Sequence, residues 1–163
     1  MRRIALIVSV GLFTLCGCDN PAKRFPPDPD ELTLYSIDGV SMWKEIAPTP
    51  AQIKAGLLFG SPVLGKVDVT DPELRRQVMA AVIGDTNKNP PMAACFYPRH
   101  ALRVKKGEEV YHIVICFQCS NYESYHGDEK ATRRGGPISS ESKPLLNRIL
   151  SEAGVPLMKD GDD

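Results

Sequence analysis

The chain has 163 residues, 42% of them apolar and 25% charged, with 20 Lys and Arg against 20 Asp and Glu. That composition is globular and not disordered, and the length suits one domain better than two. Zero formal net charge excludes the basic surplus on which nucleic-acid binding rests, so no nucleic-acid partner is expected.

Arg2 and Arg3 precede an uncharged apolar run, Ile4 to Leu15. As a helix this run rises about 18 Å, short of a bilayer core of about 30 Å. A basic start and a short apolar core describe an export signal and not a membrane span. The next residues are Leu15-Cys16-Gly17-Cys18. They resemble the lipobox of bacterial lipoproteins, with an aliphatic residue at −3, a small residue at −1 and then the modified cysteine. Cys16 does not fit that place, because Leu15 would stand at −1. The resemblance implies cleavage after Gly17 and a new N-terminus at Cys18. That cysteine would carry a thioether-linked diacylglycerol, often with an amide-linked acyl chain, enough for stable anchoring. Export and a lipid anchor in a bacterial membrane follow from it, with the inner or outer membrane left open. Losing Arg2 and Arg3 leaves 18 basic against 20 acidic residues, so the lipid and not surface charge must hold the membrane.

Residues 18–31 include Pro21, Pro26, Pro27 and Pro29 and read as a semi-extended tether of roughly 40 Å. A single domain is expected over 32–157, with a frayed tail at 158–163. Leu32 to Ile37 alternates as a strand, and Asp38-Gly39 supplies a turn. Residues 41–62 read as loop, with Trp43 packed beneath it. Val63 to Val69 is a second strand. A helix follows, with Thr70 as cap, Glu73 closing a capping box, Leu74, Val78, Ala81 and Val82 on its apolar face, and Gly84 as its stop. Residues 85–91 read as a polar loop.

Phe96 to Val104 and Glu109 to Gln118 form a hairpin around Lys105-Lys106-Gly107-Glu108, the second arm being a central strand. Tyr122 to Lys130 can add a strand, and Arg133-Arg134-Gly135-Gly136 reads as loop. A last helix runs from Ser142 to Ala153, with Leu145, Leu146, Ile149 and Leu150 on its buried face. The order gives an α+β fold: a mostly antiparallel sheet of about four to five strands with two main helices on one face.

Three cysteines remain in the domain, in Cys95-Phe96-Tyr97-Pro98-Arg99-His100 and Cys116-Phe117-Gln118-Cys119. A turn centred on Lys106-Gly107 sets Cys95 opposite residue 118 or 119. It also sets His100 opposite Val114, diagonal to His112 and Cys116. The first reading is a structural disulfide from Cys95 to Cys116 or Cys119 in an oxidising compartment. The second is a zinc or copper site of Cys95, Cys116, Cys119 and His100, with His112 as a further ligand. The third is thiol redox, although a C-x-x-C after a strand lacks the helix N-terminus that activates thioredoxin-like dithiols. These two segments are similar to ones in uncharacterised exported bacterial proteins. That resemblance groups Cys95, Arg99, His100, Cys116 and Cys119 as one unit, with Arg99 as a candidate ligand contact, and implies no activity.

No nucleophile elbow, phosphate loop, zinc-protease motif or dinucleotide fingerprint is present, so the sequence supports no enzyme class. The expectation is a lipid-anchored binding or assembly module of the cell envelope without a cofactor. Its partners would be the membrane, through the lipid, and an envelope protein or small ligand. The alternative is a metal-binding or thiol-redox lipoprotein.

Overall fold

A computed structural model describes residues 24–39, 56–127 and 133–158. The strands are β1 (Glu31–Ile37), β2 (Leu57–Leu58), β3 (Ser61–Asp68), β4 (His100–Lys106), β5 (Glu109–Cys116), β6 (Asn121–His126) and β7 (Arg134–Pro137). Two helices, α1 (Pro72–Thr86) and α2 (Lys143–Glu152), complete the fold. All strand pairs are antiparallel, in the order β2-β3-β1-β4-β5-β6-β7.

The α+β class holds, but the sheet has seven strands and not four to five. The two unforeseen strands, β2 and β7, lie in stretches read as loop. β2 reaches β3 through a two-residue turn, Phe59-Gly60, where both residues have positive φ (48° and 91°). That is the left-handed pairing a tight hairpin needs. β7 is Arg-Gly-Gly-Pro, which has no strand propensity of its own. Pairing with β6 imposes its conformation, and its place at the sheet margin tolerates proline. Trp43 and most of the 41–62 loop lie outside the described residues.

Alternation along the strands sends one set of side chains to a large core. Leu32, Leu34, Leu102, Val104, Ile113 and Ile115 meet Val78, Met79 and Val82 of α1 and Leu146, Ile149 and Leu150 of α2 there. Both helices therefore cover the same face. The opposite face carries a smaller cluster of Ile37, Ala101, Val114 and Tyr125, joined by Phe59 and Phe96. Phe59 stacks on Tyr125 with ring centroids 3.9 Å apart, although β3 and β6 are well separated in the sheet order. The sheet curls over this second face to allow it.

α1 is capped by Asp71, whose side chain accepts the Leu74 N–H at 2.8 Å, and not by Thr70. Pro72 explains the shift, because proline suits the first helical position and so makes the preceding residue the cap. Glu73 bonds Arg76 instead of closing a capping box. Gly84 does not stop the helix, which continues to Thr86, with Asn87 as its cap. The Asp85 carboxylate explains the extra length. It is 2% exposed and accepts the Ser139 hydroxyl at 2.5 Å and the Ser142 N–H at 2.7 Å. A residue read as polar loop thus joins the end of α1 to the start of α2. α2 itself lies as expected, and Gly154 follows it with φ of 70°.

The stretch read as a tether is partly built into the domain. Phe25 is 3% exposed and packs edge-on to Tyr111 and Tyr122. Arg24 donates to the Tyr122 hydroxyl, and Asp30 binds Lys106 and the Gly107 N–H.

Asp38-Gly39 makes no turn. Asp38 N–H bonds Pro62 O, and Gly39 N–H bonds Pro98 O at 3.0 Å, so the chain stays extended beside both neighbours. A Cβ on Gly39 would stand 2.4 Å from Pro98 Cδ and from its carbonyl oxygen. Gly39→Ala is therefore expected to cost about 1–3 kcal/mol, the range for overpacking. Urea denaturation checks this, and an unchanged midpoint would count against that close approach.

Candidate functional site

The β4–β5 turn centres on Gly107-Glu108, one residue later than expected, and His100 stands opposite Ile115 and not Val114. A one-residue slip moves every side chain to the other face. His100 consequently points to the helix-covered side. Its Nε2 lies 2.6 Å from Asn147 Oδ1 of α2, and its ring meets the edge of Phe117 at 5.3 Å. His112 points to the opposite side and packs edge-on to Phe59 at 5.0 Å. The slip thus separates the two histidines. Among the described residues, no group of three or more His, Cys, Asp and Glu is arranged to hold a metal ion. The zinc or copper set of Cys95, His100, Cys116, Cys119 and His112 is not assembled there.

The cysteines do converge. Cys116 ends β5, and the turn Phe117-Gln118-Cys119-Ser120 leads back into β6, with Cys116 opposite Asn121. Ser120 closes the turn with φ of 51° and an N–H bond to Phe117 O. Cys95 arrives from the irregular segment before β4. Ala93 N–H bonds Cys119 O at 2.9 Å, and the Asn121 side-chain amide bonds Cys95 O at 3.1 Å. These bonds stitch that segment to the C-x-x-C turn.

Cys119 is the common partner. Its Cα lies 5.7 Å from that of Cys95 and 5.3 Å from that of Cys116, and both pairs are at disulfide-bonding distance. The Cys95–Cys116 pairing, one of the two expected options, is not formed among the described residues. A sulfur holds one disulfide at a time, so the triad has room for one such bond and leaves one thiol when it forms. Cys119 is 0% exposed and Cys116 1%, whereas Cys95 is half-buried. Cys116 Sγ accepts two backbone N–H groups, from Tyr97 at 3.3 Å and from Cys119 at 3.2 Å.

Arg99 is buried beside the same turn, and its guanidinium donates to Gln118 Oε1 at 3.1 Å. Its backbone N–H bonds Ile115 O, so Arg99 and His100 both face Ile115. Arg99, a candidate ligand contact by sequence, thus braces the C-x-x-C turn through Gln118. Nothing in the sequence pattern marked Gln118 or the two amides on Cys116. Beside the triad an open groove is lined by Met92, Cys95, Phe96, Asn121 and Arg134, among others. Cys18 lies outside the described residues. No family model, no curated protein and no solved structure matches the chain.

Proposed function

We propose that the protein is a lipid-anchored binding or assembly module of a bacterial cell envelope, displayed by its α+β domain. The observation that carries this reading is Leu15-Cys16-Gly17-Cys18 directly after a short apolar run with a basic start. The cysteine triad supports it, because disulfide-forming clusters belong to oxidising compartments outside the cytoplasm. Its partner in the envelope would be a protein or a small ligand. Five residues lie between Cys18 and Arg24, which bonds Tyr122 of the domain. Extended, that link spans about 20 Å, half the reach of the full 18–31 stretch. The domain would therefore sit close to the bilayer surface.

Cys18→Ser tests the anchor. The variant is expected to lose at least roughly tenfold of its membrane-bound fraction, because the acyl chains supply most of the binding. Fractionation after a high-salt wash reads this out, and a variant that stays in the membrane pellet contradicts the reading.

A second reading, thiol redox, is favoured by one observation: Cys119 stands within bonding reach of two different cysteines.

A further inference from the structure

We propose that Cys95 is a thiol–disulfide exchange site for a disulfide-bearing partner, and that Cys116 controls its release. This goes beyond the anchored-module reading and does not depend on it.

The three sulfurs divide the work by position. Cys116 and Cys119 are shut away from solvent, and only Cys95 reaches the surface, at the groove beside Phe96 and Asn121. With Cys95 bonded to Cys119, the remaining sulfur is Cys116, held in place by the Tyr97 and Cys119 amides. Cys116 is the internal nucleophile, reacting once deprotonated. It attacks Cys119 Sγ, the Cys116–Cys119 bond forms and the Cys95–Cys119 bond breaks. The electron pair leaves on Cys95 Sγ, which stays a thiolate or takes a proton from water. One disulfide and one thiol are present before and after, so the step needs neither oxidant nor reductant.

Little has to move. Cys116 and Cys119 belong to one tight turn with Cα atoms 5.3 Å apart. The segment that carries Cys95 is irregular, and Pro91 to Ala94 are exposed on its approach. Once released, the Cys95 thiolate attacks a partner's disulfide. A bond forms from Cys95 Sγ to the attacked sulfur, the partner's own S–S bond breaks, and its other sulfur departs as a thiolate. The product is a mixed disulfide at the rim of the groove. In the closed state the same surface shows no free thiol.

The test treats the full-length native chain with dithiobis(nitrobenzoate), an aromatic disulfide that releases one coloured thiolate per exchange. Acid quenching and peptide mapping then assign the adduct and the surviving disulfide by residue, which keeps Cys16 and Cys18 apart from the triad. The expected result is one aryl adduct on Cys95, with Cys116 joined to Cys119. In Cys116→Ser the attacking sulfur is gone, so labelling of Cys95 should slow by at least roughly tenfold while Cys95–Cys119 stays intact. A thermal melt confirms that this variant is folded, and the wild-type map decides the question if it is not. An adduct on Cys116 or Cys119, no adduct until the chain is denatured, or equal labelling of Cys95 in the folded Cys116→Ser variant would each overturn the proposal.

Discussion

Cys119→Ser is expected to lower the unfolding free energy by about 3 kcal/mol, more than either of the other two single cysteine substitutions. The reason is topological. Both sulfur pairs at bonding distance include Cys119, so its loss removes both. The Cys95–Cys119 bond closes a loop with a sequence separation of 24, and cross-linking a loop of that size restricts the unfolded chain by about 3 kcal/mol. Cys116→Ser leaves that loop closed and should stay near the wild type. Cys95→Ser leaves only the pair at a separation of 3, a much smaller restriction, and should fall between the two. Urea denaturation of the three variants without reductant gives the order. If Cys119→Ser costs no more than Cys116→Ser, Cys119 is not the common partner.

Asp85→Ala is expected to cost a similar amount, about 3 kcal/mol, by a different route. The carboxylate receives the Ser139 hydroxyl and the Ser142 N–H, and the Asp85 carbonyl receives the Ser139 N–H. Ser142 has no side-chain cap bond of its own, so Asp85 serves as the cap of α2 from across the sequence. Hydrogen bonds to a charged acceptor contribute roughly 1.5–3 kcal/mol each, and truncation leaves a buried amide without its partner. Asp85→Asn keeps one oxygen for the Ser142 N–H and turns its amide group towards the Ser139 hydroxyl, so it should recover about half of the loss. Denaturation gives the magnitude, and faster exchange of the Ser142 amide hydrogen locates it. An alanine variant within about 0.5 kcal/mol of the wild type, the range of an ordinary surface change, would refute the joint.

Those two sites mark where reading residues in order succeeds and fails. β1, β4, β5 and both helices were legible because their apolar residues repeat at the period of their own element, as Leu32 and Leu34 or Leu146, Ile149 and Leu150 do. β7 was not legible, since Arg134-Gly135-Gly136-Pro137 becomes a strand only by pairing with β6. Asp85 was not legible for a related reason. Gly-Asp-Thr-Asn is a loop by local chemistry, and its helical, buried state depends on Ser139 and Ser142 more than fifty residues away.

At the cysteines, pairing by number runs past the end of the ladder. The hairpin turn lies one residue later than expected, and the paired ladder ends at His100 and Ile115. Beyond the ladder, Cys95 reaches Cys119 along the irregular segment before β4, which the Ala93 and Asn121 hydrogen bonds hold against the turn. His100 lies within the ladder, so the shifted register turns it towards Asn147 and away from the sulfurs. Pairing by number therefore located the sulfurs and misplaced the imidazole.

The anchor at Cys18 is the central claim, and intact mass spectrometry of the protein extracted from membranes tests it most directly. The account predicts a chain that begins at Cys18 and is heavier than the bare polypeptide by a diacylglyceryl group, with or without an additional N-acyl chain. A chain that keeps residues 1–17, or one that begins at Cys18 and carries no lipid, would contradict it.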